Sequence, residues 1–299
     1  MPRTAQIAVL ARISGNVNAD EVIGQRITLK RFYTSEGEVK PFISARAVKY
    51  AIRQALAEKG LSIDPFQLTK TKPPRLIDSG DPVKYVDNDL FGFMAAERRE
   101  ELARRRQAPI ALSYLRALKN TAIKAEFALR APRPQGTTGN PLPFEVEVAE
   151  WIGRLDCLVY DYVGVYQGTE SERAKQMGNF VSNEERKKRL GKFLEVFLTP
   201  SYVLPRRTNS LVIPEYVAAL VTLSEKGPWP IYQYLDYTSE SGKVSVDIGL
   251  LNGLKERNFE LNKLWIIDYA SAVSPSLSFR VESNQLREII SEVVNFLIR

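Results

Sequence analysis

The sequence predicts an α+β fold in which a β-sheet carries helices on one face. Short apolar runs typical of buried strands occur early and late in the chain, at Gln6–Ile13 and Tyr216–Leu223. Amphipathic helical periods occur near residues 44–59, 184–198 and 284–298. The resulting order, strand, helix, insertion, strands, helix, strand and late helix, is typical of an α+β sheet.

The first 43 residues predict two strands. Gln6–Ile13 is short and rich in aliphatic side chains, and a polar loop, Ser14–Glu21, follows it. Arg26–Tyr33 is the second strand-like stretch. It ends at Ser35–Glu38, a segment that contains glycine and predicts a hairpin turn.

The next segment predicts a helix from Ser44 to about Lys59. Ser44 is a suitable N-cap, and Gly60 ends the helical period. Five apolar residues follow the i, i+3, i+4, i+7, i+8 spacing and should face the core: Val48, Ala51, Ile52, Ala55 and Leu56. The other side carries a cationic stripe of Arg46, Lys49 and Arg53, which begins at the positive end of the helix dipole and could bind phosphate. An ordinary solvated helix face is the alternative.

Residues 61–142 read as an insertion into the core. They contain several prolines and an arginine-rich helix candidate at Ala95–Gln107, and a Pro/Gly/Thr loop at Ala131–Pro143 leads back to the core. The core is therefore expected to comprise residues 1–60 and 143–299.

Core-like patterns return after the insertion. Phe144–Val148 alternates as a half-exposed strand does, and Arg154–Tyr166 is a further strand candidate. Glu184–Leu198 predicts a helix, Tyr216–Leu223 a strand, and Asn284–Ile298 a closing helix.

Composition excludes several classes of site. The 299 residues include no histidine and one cysteine, Cys157, which excludes histidine bases, imidazole metal sites and intrachain disulfides. The sequence contains no run of about 18 apolar residues, so it predicts no membrane-spanning helix. The N-terminus lacks the apolar core of a signal peptide. We expect a cytoplasmic protein that needs no cofactor and no membrane.

The positive charge is concentrated in the first half of the chain. The net charge is +7, and residues 1–60 carry 10 basic and 5 acidic side chains, while residues 94–133 carry 10 and 4. Residues 215–299 are acidic, with 8 basic and 11 acidic side chains. Such asymmetry is typical of one face that binds a polyanion, although an uneven solvated surface would give the same count.

Two pairs of carboxylates are candidates for a metal site. Asp87 and Asp89 would share one face of a strand and could hold Mg²⁺, but a structural role in the turn before Leu90 is the favoured interpretation. Asp20 and Glu21 follow the first strand and could form a metal-assisted nuclease site, although neighbouring carboxylates are usually only exposed.

The segment Thr199–Pro214 joins a predicted helix to a predicted strand and is expected to project. It combines cationic and hydrogen-bonding residues at its centre with aromatic and aliphatic residues on one flank. This combination suits a groove for single-stranded nucleic acid, and a plain surface loop is the alternative.

Four segments together resemble one family, the Cas seven-family backbone subunits of type I CRISPR effector complexes, on the DevR-like "CRISPR-associated autoregulator" branch. They are Ser14–Asp20, Gly37–Leu56, Val86–Met94 and Arg207–Val217. The serine-headed helix followed by Lys49 and Arg53 is the most specific of them. The Asp-x-Asp-Leu-Phe-Gly motif, which begins at Asp87, is the next most specific.

The resemblance implies an RRM-like (ferredoxin-like) palm, a large inserted fingers region at about residues 62–142 and a protruding thumb hairpin at about residues 200–214. It implies a non-catalytic subunit whose copies polymerise along guide crRNA with other Cascade subunits. The thumb would kink the guide at intervals, so that the segments between pair with target DNA.

The resemblance also assigns roles to individual residues. Those implied to hold guide phosphates from the palm are Asn18, Lys40, Ser44, Arg46, Lys49 and Arg53. In the thumb, Tyr202, Val203 and Leu204 are implied wedges, and Arg206, Arg207 and Asn209 are implied backbone clamps. The finger residues that could face nucleic acid are Arg98, Arg99, Arg104, Arg105 and Arg106. No Lys/Arg-Gly-Phe/Tyr stacking motif is present, so we expect backbone holding rather than base reading.

Two other functions remain open at this point. Related type III subunits cut target RNA through a loop aspartate, for which Asp20 with Mg²⁺ is the candidate. The autoregulator name suggests a transcriptional regulator, but no helix-turn-helix pattern supports it.

Overall fold

In the computed structural model of the chain, a twelve-stranded mixed sheet carries helices, as the α+β prediction required. The structure describes residues 1–17, 19–69, 72–95, 104–131, 136, 139–167, 170, 175–176, 178–205 and 212–299. The five α-helices in this part of the chain are α1 (Ala45–Glu58), α2 (Val86–Phe91), α3 (Asn183–Leu198), α4 (Ile248–Glu256) and α5 (Leu286–Leu297).

The strands are named in chain order. The first nine are β1 (Thr4–Gly15), β2 (Ala19–Ile23), β3 (Arg26–Leu29), β4 (Arg31–Tyr33), β5 (Val39–Ile43), β6 (Gln67–Leu68), β7 (Leu76–Ile77), β8 (Phe93–Ala95) and β9 (Arg104–Arg106). The others are β10 (Ile110–Leu112), β11 (Leu115–Ala117), β12 (Lys124–Arg130), β13 (Leu142–Tyr160), β14 (Glu215–Ser224), β15 (Tyr237–Glu240), β16 (Lys243–Val246), β17 (Lys263–Asp268) and β18 (Arg280–Glu282).

The sheet is built around β1 and β13, which pair antiparallel along the whole of β1. The strand order is β18-β17-β14-β1-β13-β11-β5-β4, and β10 also pairs with β13. The first half of β13 extends beyond β1, where it pairs with β12 and with the β2–β3 hairpin.

Helices α1, α3 and α5 cover one face of the sheet. Alternate residues of β1, from Ala5 to Ile13, lie in the same buried cluster as Val48, Phe193 and Val293 of these helices. Part of the opposite face is also covered, which the sequence did not predict. There Ala8 and Leu10 of β1 pack in a second cluster with residues of α4 and of the segment before it.

The prediction for α1 is confirmed in detail. The Ser44 hydroxyl accepts a hydrogen bond from the backbone N–H of Ala47, and all five residues expected in the core are buried. The chain leaves the helix through Gly60, whose φ of 81° lies in the left-handed region that favours glycine.

Three local predictions were wrong. Phe144–Val148 and Arg154–Tyr166 are not two strands, because Leu142–Tyr160 is one continuous strand that ends six residues before Tyr166. The expected strand Arg26–Tyr33 is split into β3 and β4. The described ends of the predicted arginine-rich helix are strands instead, since Ala95 of β8 pairs with Arg104 of β9.

The insertion also enters the core more than expected. Residues of β10 and β11 pair with β13, and β11 pairs with β5 as well. Ile110 and Leu115 are fully buried in the main cluster together with Leu90 of α2. Residues 110–117 therefore belong to the central sheet.

Candidate nucleic-acid interface

Arg46 is the solvent-facing member of the cationic stripe on α1. Its side chain is exposed and makes no ion pair with any residue that the structure describes. Ser44 caps the same helix end, at 3.3 Å from the Ala47 nitrogen, and its hydroxyl proton remains available as a donor. This end of α1 combines a cation, a hydroxyl and the positive pole of the helix dipole.

Lys49 is half-buried beside this helix end. Burial, followed by the charge of Arg53, lowers the pKa of its ammonium group. Its Nζ lies 5.6 Å from the centre of the Phe91 ring, an attractive cation–π distance. Lys49 therefore brings a partly desolvated cation to the stripe, where an incoming phosphate would relieve the unfavourable environment.

Arg53 is engaged within the protein. Its Nε donates to Asp87 Oδ2 at 3.0 Å, and its guanidinium lies 5.2 Å from the centre of the Phe91 ring. Because Asp87 is buried, breaking this pair would leave an uncompensated charge. A phosphate at Arg53 would therefore have to compete with a buried carboxylate, which disfavours the phosphate-binding role that the resemblance implied for Arg53.

Lys40 is also paired. It lies on β5, and its Nζ is 2.7 Å from Oε2 of Glu38, which immediately precedes that strand in the β4–β5 connection. A phosphate at Lys40 would have to compete with this carboxylate.

The segment expected to form the thumb is described on both sides of residues 206–211. The backbone N–H of Leu204 donates to the carbonyl of Val212 at 2.9 Å, which brings the two arms together. The implied clamps Arg206, Arg207 and Asn209 lie outside the described residues, as does Asn18 of the palm.

Two of the three implied wedge residues are core residues. Tyr202 and Leu204 are almost completely buried. The Tyr216 hydroxyl donates to the carbonyl of Phe197 at 2.7 Å, so the Tyr202 hydroxyl, 2.9 Å away, is the donor in the tyrosine pair. Side chains held in this way cannot insert between bases, and this part of the prediction is corrected.

Val203 is the implied wedge that faces solvent. It is 46% exposed, and Ile213 on the other arm is 44% exposed. The Leu204–Val212 hydrogen bond brings Val203 and Ile213 to equivalent places on the two arms. Sequence reasoning missed Ile213, although it lies next to Pro214 at the end of the same apolar-flanked segment.

The Asp-x-Asp-Leu-Phe-Gly motif is structural, as favoured from the sequence, but it lies on a helix rather than on a strand. Asp89 of α2 is completely buried and accepts from Arg106 at 2.7 Å, Arg189 at 2.9 Å and the Gly164 N–H at 3.0 Å. Asp87 accepts from the Asp64 N–H and from Arg53. The motif thus joins the inserted region to α3.

The finger arginines have different environments. Arg98 and Arg99 lie outside the described residues, Arg104 is half-buried and Arg105 is exposed. Arg106 is buried, pairs with Asp89 and Glu170, and stacks over the Tyr166 ring at 4.8 Å. Arg106 is therefore not a nucleic-acid contact, contrary to the expectation for this arginine run.

The nuclease alternative gains no support from the structure. Asp20 belongs to β2, and within the described ranges no group of three His, Cys, Asp or Glu residues converges to hold a metal ion. Among the same residues, no helix has the length and apolar character needed to cross a bilayer.

Comparisons with known proteins agree with the resemblance. The family model for "CRISPR-associated negative auto-regulator DevR/Csa2" matches residues 13–237. A search of curated protein sequences gives no match. A chain of a structure titled "CRISPR RNA-guided surveillance complex, pre-nicking" superposes with a TM-score of 0.61 at 12% identity, covering 97% of this chain and 100% of that one.

A second structure, titled "CRISPR RNA-guided surveillance complex", has a TM-score of 0.59 at 12% identity and covers 98% of each chain. At this identity the two superpositions show a shared fold. The family match spans three quarters of the sequence and includes the capped helix α1, the buried acidic motif and the segment Thr199–Pro214. The chain belongs to the DevR/Csa2 family of CRISPR-associated proteins.

Proposed function

We propose that this chain is a non-catalytic backbone subunit of a CRISPR effector complex, which polymerises along guide crRNA and holds its phosphates. The observation that carries the proposal is the end of α1, where Ser44, Arg46 and Lys49 offer hydrogen bonds and positive charge. Contacts of this kind bind the nucleic-acid backbone and carry no sequence information. A guide carrier needs that property, because it must accept any spacer sequence.

The strand order supports an RRM-like palm. Four consecutive stretches of the sheet are β14, β1, β13 and the β10–β11 segment, with α1 and α3 packed on one face. In chain order these elements are strand, helix, strand, strand, helix and strand, which is the ferredoxin-like arrangement. Residues 1–60 and 143–299, together with 110–117, would then form the palm, and the rest of 61–142 the fingers.

The exposed pair Val203 and Ile213 supports a wedge at the base of the thumb. An apolar pair at this point would separate two neighbouring bases, while Arg206, Arg207 and Asn209 would clamp the backbone beyond it. Tyr202 and Leu204 would instead fix the thumb to the palm.

Copies of the chain would associate head to tail, because a repeated heterologous contact that does not close gives a helical array. Target DNA would be engaged through the guide, and other Cascade subunits would flank the array. Cys157 is a free, buried cysteine, and a free thiol is compatible with the reducing cytoplasm, which is the compartment proposed for this protein.

Co-expression with a guide-RNA array tests the proposal directly. The purified assembly is treated with ribonuclease, and the protected RNA is sized. We expect fragments that lengthen by a constant number of nucleotides for each added copy. A bare monomer with no protected RNA, also after co-expression with the partner subunits, would refute the proposed function.

The wedge has its own matched pair of variants. Val203→Asp should abolish the regular protection steps. Ile248→Asp alters a comparably exposed apolar residue on α4 and should leave them unchanged. Equal effects of both substitutions would contradict a wedge at Val203.

A further inference from the structure

An aromatic cluster lies on the open part of the sheet, away from both buried cores. The Phe42 ring is 5.9 Å from the Phe32 ring and 5.3 Å from the Tyr114 ring, with interplanar angles of 43° and 49°. Tyr114 is 56% exposed, and the two phenylalanines are half-buried. Since rings of this size are usually buried in folded proteins, a half-exposed cluster of three marks a contact surface.

The strand register places an arginine beside these rings. Arg116 of β11 lies directly opposite Phe42 of β5, and on its other side it lies opposite Arg154 of β13. Residues directly opposite each other project from the same face of a sheet. Phe32 and Lys40 form the next pair along β4 and β5, on the same face. We call Phe32, Phe42, Tyr114 and Arg116 the aromatic strip.

The charge around the strip is positive. Lys40 pairs with Glu38, and Arg154 pairs with Asp156, so these charges balance. Arg116 is exposed and has no ion pair with any described residue, although its charge lowers the pKa of Asp156 against the larger raising effect of burial. Arg116 thus leaves one excess positive charge at the strand position opposite Phe42.

We propose that the aromatic strip stacks an unpaired base of a single-stranded nucleic acid, with Arg116 on the adjoining phosphate. Aromatic rings stack on any base, and a neighbouring guanidinium adds a contact to the backbone or to the base plane. The strip lies on the sheet, whereas the proposed phosphate path lies at the end of α1 and the proposed wedge lies in the thumb. The site is therefore additional to the proposed function and independent of guide assembly.

Photocrosslinking of the full-length protein tests the site. The probe is an oligouridine that contains one 5-iodouracil, a base that crosslinks to aromatic rings stacked against it. We expect the crosslinked peptide to contain Tyr114 or Phe42. A crosslink that maps only to residues outside the strip would overturn the proposal.

Binding of the same oligonucleotide provides the quantitative test. Tyr114→Ala should weaken the affinity about tenfold without changing its salt dependence, since stacking releases no counterions. Tyr114→Trp should keep the affinity. Arg116→Ala should weaken binding and reduce the slope of log affinity against log salt by about one.

The matched control is Tyr33→Ala. Tyr33 is 66% exposed on β4 but projects from the opposite face to its neighbour Phe32. Affinities of Tyr114→Ala and Tyr33→Ala that equal the wild-type value would refute base stacking. Base stacking is also refuted if Tyr114→Ala changes only the association of protein copies. A crosslink at Tyr114 together with absent guide protection would refute the proposed function and leave this site standing.

Discussion

Replacement of Asp89 by asparagine should strongly destabilise the protein. The Asp89 carboxylate is completely buried and balances two buried arginines, Arg106 and Arg189, at 2.7 and 2.9 Å. In Asp89→Asn one oxygen can still accept from Arg106 and from the Gly164 N–H, as Oδ1 does now. The amide nitrogen would then face the Arg189 Nη1 donor, so one pair becomes a donor–donor contact and the negative charge is lost.

The expected loss can be worked out from these contacts. Breaking a buried ion pair on one side costs about 3–5 kcal/mol, because the remaining charge stays buried. Arg106 keeps Glu170 at 2.8 Å and Arg189 keeps Glu185 at 2.8 Å, so a value near the lower end, about 3 kcal/mol, is expected. That is a large part of a total stability of about 5–15 kcal/mol.

Urea unfolding followed by tryptophan fluorescence measures the effect. With a slope of about 3 kcal/mol per molar urea, the midpoint should fall by about 1 M. Glu185→Gln is the matched control: it removes a partner of the same Arg189, but Glu185 is 34% exposed and its pair should contribute at most about 1 kcal/mol. A midpoint for Asp89→Asn equal to that of Glu185→Gln would refute the reasoning that α2 is held by buried charge.

Three further predictions follow from other contacts. Arg46→Ala should reduce the salt slope of guide-RNA binding by about one, whereas Arg53→Ala should keep the slope and lower the melting temperature because a buried carboxylate loses its ion pair. Gly153→Ala should lower the stability measured by thermal unfolding by about 1–3 kcal/mol, because a Cβ at this position overlaps the ring of Trp151. Gly191→Ala in α3 should stabilise the protein, because there is space for a Cβ and alanine favours a helix over glycine. Burial raises the folded-state pKa of Asp156, so protonation of this carboxyl favours the folded state. The free energy of unfolding in urea of the wild type, relative to that of Asp156→Asn, should therefore increase as the pH is lowered from about 7 to about 4. A difference between the two proteins that does not change with pH would contradict this prediction.

Local signals explain which parts of the fold were predictable. The limits of α1 depend on a serine cap, a helical period and a glycine, all within 17 residues, and the structure has each of them as expected. The ends of α3, β14 and α5 were likewise correct to within two residues. The helices α1, α3 and α5 each bury one apolar stripe against the main cluster, and β14 is a continuous apolar run buried between the two clusters, so the sequence pattern and the burial agree.

Long-range pairing explains the errors. Nothing in the sequence around Gly153 shows that β13 continues through it, because the strand is held there by β1 on one side and β11 on the other. Composition alone predicts a helix for the arginine run at Ala95–Gln107. Arg106 and Arg189 both pair with the buried carboxylate of Asp89, which lies 17 residues from Arg106 and 100 residues from Arg189 in the sequence. Such a contact depends on the fold rather than on local spacing.

The same distinction between local signals and long-range contacts applies to the candidate site. The cationic face of α1 was predictable, yet the pairing of Arg53 with Asp87 was not, because it joins residues 34 positions apart. The resemblance implies wedge roles for Tyr202, Val203 and Leu204, but the apolar character of a residue does not distinguish a side chain that anchors a loop from one that projects from it. The burial of Tyr202 and the exposure of Val203 separate the two roles.

The proposed phosphate path and the aromatic strip would each bind nucleic acid of any sequence, by different physics. A protein that carries guides of any sequence must avoid hydrogen bonds to base edges, because those contacts discriminate between bases. Charge at Arg46 and Lys49 acts on phosphates, and ring stacking at Tyr114 and Phe42 acts on the π-face that every base has. The two differ in salt dependence, since only the first releases counterions. High salt should therefore weaken contacts at α1 while leaving stacking at the strip, so the ratio of crosslinking at Tyr114 to total RNA bound should rise with salt. A ratio that stays constant would mean that the strip acts only through the charge of Arg116.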